Sequence, residues 1–86
     1  MSYTIAIDPA AARELKKLDP ELLRAFIALI DGLADEPRPP GAKKLKGSKS
    51  SYRVRVGDHS VLYQITDKKL LVVVVRVGHR RDVYRG

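Results

Sequence analysis

An α+β fold of order β-α-α-β-β-β, with two N-terminal helices packed on an antiparallel sheet, is predicted by three features. Two Asp-Pro steps each open an amphipathic apolar run, a Pro- and Lys-rich stretch ends the second run, and three β-rich segments follow with tight turns between them. A short basic tail closes the chain.

The elements follow in order. "SYTIAI" alternates β-formers and reads as a strand over 2–7. Asp8-Pro9 is a helix start, because the Asp side chain can accept orphan N–H bonds and proline suits the first helical position. Ala12, Leu15 and Leu18 then recur at helical spacing, which predicts a short helix over 9–18. Asp19-Pro20 repeats the signal and opens a longer helix with Leu22, Phe26, Leu29, Ile30 and Leu33 inward. Pro37, Pro39, Pro40 and Gly41 stop it.

A short strand is expected over 42–45, then strands over 52–56, 61–66 and 70–77. Gly57-Asp58 and Asp67-Lys68 supply the turns of an antiparallel meander. The run "LLVVVV" lacks alternation, so the last strand is expected at the sheet's centre, buried on both faces.

The 86 residues suit one domain, 1–86, with a modest core and no internal repeat. With no cysteine there is neither a disulfide framework nor a thiolate metal site. The longest apolar run is too short to span a bilayer, and "MSYTIAIDPA" lacks the basic start and apolar stretch of a signal peptide. A cytoplasmic protein without membrane association is expected. The net charge of +7 is unevenly spread. Residues 1–37 carry four Lys and Arg against seven Asp and Glu, whereas 38–86 carry thirteen against three. Such a field attracts polyanions, with RNA and DNA foremost, or an acidic protein.

Arg53 and Arg55 alternate with Tyr52, Val54 and Val56, so the two cations share one strand face. Their guanidinium groups could grip a phosphate through paired hydrogen bonds, or simply be solvated on an open face. Arg76 closes the last strand and His79, Arg80, Arg81, Tyr84 and Arg85 follow it, and a meander brings its end level with Arg55. Cations with a tyrosine among them suit a single-stranded nucleic acid, and Tyr84 could equally pin the tail by packing. Lys43, Lys44, Lys46 and Lys49 add a second basic stretch. His79 is a candidate acid or base. His59, in the turn region, reads as a surface residue. No metal-ligand spacing, P-loop or nucleophile-elbow motif occurs, and the acidic residues look structural.

"KKLKGSKSSYRVRVGDHSVLYQI" followed by "LLVVVVRVGHRRDVYRG", with "DPAAARELKKL" before them, resembles the RelE toxins of bacterial type II toxin–antitoxin systems, within the RelE/ParE superfamily. The likeness covers nearly the whole chain. It implies a RelE-like fold and a compact ribonuclease acting on messenger RNA in the ribosomal A site, beside ribosomal RNA. It further implies a RelB-like antitoxin partner, and operator DNA bound only through the toxin–antitoxin complex. The implied reaction is attack of a ribose 2′-hydroxyl on the adjacent phosphate, without metal or cofactor. Position by position, the family's catalytic residues fall on Arg53, Arg55, Arg80 and Tyr84, with His79 and Ser60 as further candidates. Lys43, Lys44, Lys46, Lys49, Arg81 and Arg85 fall among its RNA- and ribosome-binding positions.

Two departures from the family matter. Its strand positions corresponding to Arg53 and Arg55 are often lysine. Arginine stays charged, which suits these residues to clamping transition-state charge and not to general-base work. Members also commonly read "GDxRVLY", where this chain has "GDHSVLY", so Ser60 replaces an arginine. Either the toxin is naturally weak or retargeted, or the serine attenuates it. Two other readings stay open: a ParE-like toxin that poisons DNA gyrase, and a non-catalytic RNA-binding or antitoxin-binding member.

Overall fold

The computed structural model describes residues 2–79. Strand β1 (Thr4–Ile7) leads into helix α1 (Pro9–Lys16), which is followed almost without a loop by α2 (Pro20–Gly32). Both helices start as expected. Asp8 accepts from the Ala10 N–H and Asp19 from the Leu22 N–H, each at 2.9 Å, with a proline in the first helical turn.

Four strands complete the chain: β2 (Lys43–Lys44), β3 (Ser51–Val56), β4 (His59–Thr66) and β5 (Leu71–His79). The sheet order is β1-β5-β4-β3-β2. The helices thus carry the chain from one sheet edge to the other, and the meander β2 to β5 walks back. Its three reversals are antiparallel, as expected, and they leave β5 parallel to β1. The sheet is therefore mixed. Parallel neighbours need a long crossover, which here is nearly the whole chain, so no local signal announces the pairing.

Two turns set the strand register. A two-residue loop, Gly57-Asp58, joins β3 to β4 with Gly57 at φ +59°. Positive φ at the first loop residue alone is the pattern of a type II′ turn, which matches strand twist. Between β4 and β5 the expected tight turn is a 3₁₀ turn, Asp67–Lys69, ending on Leu70 in the left-handed region at φ +49°.

The core lies between the helices and one sheet face. Ala11, Leu15, Phe26, Ile30 and Leu33 pack against Val54, Val61, Tyr63, Ile65, Val72, Val74 and Val77. On α1 it is Ala11, not Ala12, that is fully buried; Ala12 and Leu18 are half-buried. The last strand also differs from expectation. β4 is the middle strand, and β5 buries Val72, Val74 and Val77 while Leu71, Val73 and Val75 stay half-buried. Both helices sit on one side, so the second face of β5 has no helix over it. Its unbroken valine run masks a bulge at Val75, where the pairing shifts between Tyr63↔Val74 and Leu62↔Arg76.

Beyond α2, the chain is tied to the sheet end that carries the β4–β5 turn. Fully buried Tyr63 donates its hydroxyl to the Pro37 carbonyl at 2.8 Å, and burial pushes that phenol up to about 12. Tyr52 stacks on Tyr63 at 6.0 Å, and the Arg38 guanidinium lies over the Tyr52 ring at 5.2 Å. Arg38 also pairs with Asp67 at 2.9 Å, and Tyr3 donates to the same carboxylate at 2.6 Å. These contacts set where the lysine-rich segment departs for β2.

Candidate nucleic-acid interface

Strand alternation sends Tyr52, Val54 and Val56 to the helices and leaves Arg53 and Arg55 on the opposite face. The register then places their neighbours. Lys43 on β2 lies beside Arg53, with Leu62 across from it on β4. Ser60 lies beside Arg55, and Gly78 of β5 lies beside Ser60. Two positions along a strand span roughly 7 Å, near the spacing of successive phosphates in an extended nucleic acid strand. Arg55 and Lys43 are exposed and Arg53 is half-buried. Lys43, Arg53 and Arg55 thus share this face, with the end of β5 level with Arg55 as the meander requires.

Ser60 is the unusual member of the row. It is 0% exposed, and among the described residues its hydroxyl has no hydrogen-bond partner. Its burial was not legible in the pattern, which shows only a small polar residue near a turn.

The lysines divide. Lys43 joins the arginine face, whereas Lys44 is opposite Tyr52 and so belongs to the other side of the sheet edge. Lys46 and Lys49 are exposed in the connection to β3. Arg80, Arg81, Tyr84 and Arg85 lie outside the described residues.

The histidines do not join the arginines. His79 pairs with His59, which pairs with Val56 on the helix-facing side. Their rings meet edge-on at 5.5 Å, and His59 meets Phe26 the same way at 6.0 Å. His59 is therefore half-buried against an aromatic core residue and is not a surface residue as expected from its place near the turn. Both rings border a cleft of about 300 Å³ shared with Glu14, Lys17, Leu18, Val77 and Gly78. Arg76 does not add to the basic cluster either. Its guanidinium is held by Glu14 of α1, with Nε to Oε1 at 3.2 Å. That pair joins residues 62 apart, beyond any periodicity argument.

Among the described residues no group of three or more His, Cys, Asp or Glu side chains could hold a metal ion. Among the described residues no helix is long and apolar enough to cross a membrane. The chain is thus a small α+β protein with two helices on one side of a mixed sheet and Arg53, Arg55 and Lys43 on the other. Its family follows from comparison with known proteins. The family model described as "ParE toxin of type II toxin-antitoxin system, parDE" matches residues 5–84. Toxin RelG of Mycobacterium tuberculosis is 36% identical over 86 residues, covering 99% of each chain. The mRNA interferase toxin RelE of Escherichia coli K12 is 28% identical, covering 98% of this chain and 92% of that one. Among solved structures, the toxin–antitoxin complex RelBE2 of M. tuberculosis contains a chain 32% identical, with a TM-score of 0.80 over 93% of this chain and 100% of that one. The archaeal RelE–RelB complex from Pyrococcus horikoshii gives a TM-score of 0.83 at 28% identity, covering 93% of this chain and 97% of that one. The chain belongs to the RelE/ParE family of type II toxin–antitoxin toxins.

Proposed function

We propose that this toxin is a ribosome-dependent messenger RNA endonuclease, held inactive by a RelB-like antitoxin. The observation that carries the reading is the alignment of Arg53 and Arg55 with Lys43 on the sheet face away from the helices. A similar protein named an mRNA interferase supports it. In the proposed reaction a ribose 2′-oxygen attacks the adjacent phosphorus and the 5′-oxygen leaves. The products are a 2′,3′-cyclic phosphate and a free 5′-hydroxyl.

The pentavalent phosphate carries more negative charge than the diester it forms from. Fixed cations therefore stabilise the transition state more than the ground state. Arg53 and Arg55 act as that clamp, and because guanidinium does not lose its proton neither serves as the base. Arg80 adds a third cation, Tyr84 stacks on the nucleotide or assists proton transfer, and His79 is a reserve candidate. Lys43, Lys44, Lys46, Lys49, Arg81 and Arg85 hold messenger and ribosomal RNA. In-line attack demands a fixed 2′-oxygen, and the ribosome supplies that orientation to a protein with no evident general base.

The antitoxin partner fits the charge distribution. An acidic segment would neutralise the lysine-rich stretch and the basic tail, and the pair would reach operator DNA together. The protein works in the cytoplasm, where its substrate is.

Gyrase poisoning is the second reading, favoured by the ParE description of the matching family model. Toe-printing on programmed ribosomes beside a gyrase supercoiling assay separates the two. Cleavage of A-site codons with supercoiling untouched is expected. Blocked supercoiling with intact messenger would establish the gyrase reading instead.

A further inference from the structure

β1 stops at Ile7, whose partner on β5 is Val74, and the Asp8 N–H takes the Val74 carbonyl at 2.8 Å. From Val75 onward, β5 has β4 on one side and, among the described residues, no strand on the other. This stretch opens with the Val75 bulge, where the extra residue locally disrupts the ladder with β4. It continues to Gly78 and His79, which pair with Ser60 and His59.

One side chain of α1 takes the missing strand's place. Glu14 Oε1 accepts the Val77 N–H at 3.0 Å and the Arg76 Nε at 3.2 Å, while Oε2 accepts an Arg76 terminal N–H at 3.3 Å. A carboxylate that receives a main-chain N–H and a guanidinium together makes charge-assisted bonds stronger than neutral ones. It pins backbone and side chain at adjacent residues, just past the bulge. Val77 is fully buried and Glu14 half-buried, so water competes poorly for these contacts. The neighbouring Gly78 stands in line with Ser60 and Arg55, and Arg80 follows three residues after Val77.

We propose that Glu14 is a positioning residue which, through Val77 and Arg76, holds the end of β5 in register beside Ser60 and Arg55, and that RNA turnover depends on that hold. The second half rests on the ribonuclease reading above. The physical reason is that in-line transfer tolerates little misplacement, and a displacement of about 1 Å can cost on the order of a hundredfold.

The test compares Glu14→Ala, Glu14→Gln and a core control, Ile30→Val, in the full chain. Amide exchange is read at Val77, Gly78 and His79, and kcat and KM for messenger cleavage on programmed ribosomes. Glu14→Ala is expected to speed exchange at those three amides and to lower kcat at least ~10-fold with KM little changed. Glu14→Gln keeps an oxygen for the Val77 N–H and is expected to restore most of kcat. Ile30→Val, which trims a methylene group from α2 in the core and leaves the Glu14 contacts in place, is expected to keep kcat. Wild-type kcat in Glu14→Ala, an equal loss in Ile30→Val, or no rescue by glutamine would overturn the link to turnover. If the parent chain cleaves no messenger, it is the ribonuclease reading that fails. The exchange data then decide the hold alone: unchanged rates at Val77–His79 in Glu14→Ala contradict it, and faster rates there support it.

Discussion

Replacing Ser60 with alanine should stabilise the protein, an unusual outcome for a fully buried residue on the middle strand. The hydroxyl is 0% exposed and, among the described residues, has no hydrogen-bond partner. Burying an unsatisfied polar group costs about 1–3 kcal/mol, because the unfolded chain returns it to water. Alanine removes that cost and leaves a void of only one oxygen atom, whose lost contacts offset part of the gain. A net stabilisation of about 1 kcal/mol follows, worth about 4–8 °C in Tm for a chain of this size.

Arginine, the residue the family commonly carries there, should act in the opposite direction. It would have to place a third guanidinium beside Arg55 at a position that is fully buried in this chain, and should lower stability by more than 1 kcal/mol. Urea unfolding of the purified chain and the two variants reads both signs. Destabilisation of Ser60→Ala by 1 kcal/mol or more would show that the hydroxyl is satisfied, and the reasoning would fail.

Three further outcomes are expected. Tyr63→Phe strips the donor from the buried Pro37 carbonyl and should cost about 1–2 kcal/mol in urea unfolding, loosening the start of the lysine-rich segment. Asp67 is held below the usual carboxylate range, first by the Arg38 hydrogen bond and then by the Tyr3 hydroxyl. The native state therefore binds this proton less tightly than the unfolded chain. The stability difference between the parent and Asp67→Asn should be full above about pH 4 and fade as pH falls through the depressed value, read from urea midpoints across acid pH. Finally, the complex with an acidic antitoxin segment should weaken as salt rises well above physiological strength. Equal affinity at high and low salt, measured by calorimetry, would show that charge is not its main attraction.

Local chemistry explains which features the amino-acid sequence disclosed. Asp8-Pro9 and Asp19-Pro20 announce helix starts because capping involves neighbours two or three residues away. Gly57 marks its hairpin, and simple alternation puts Arg53 and Arg55 on one face with no reference to the rest of the molecule. Contacts between distant residues stayed hidden. The parallel pairing of β1 with β5, the Glu14–Arg76 pair and the Tyr3–Asp67 contact each join segments more than 60 residues apart. The valine run of β5 conceals its own bulge, since every residue in it suits either face. His59 resembled a turn residue until Phe26, from the other layer, was placed against it. The lysine stretch likewise reads as one charged run, although the sheet edge sends Lys43 and Lys44 to opposite sides.

The central claim is that the Arg53 and Arg55 guanidinium groups, on the sheet face away from the helices, work on the phosphates of messenger RNA. Single-turnover cleavage on programmed ribosomes, with the product ends identified chemically, tests it most directly. The account predicts 2′,3′-cyclic phosphate and 5′-hydroxyl ends, a rate falling on the order of 10²–10³-fold in Arg55→Ala, and partial recovery in Arg55→Lys. A rate within threefold of the parent in Arg55→Ala, or ends of the opposite polarity, would contradict it.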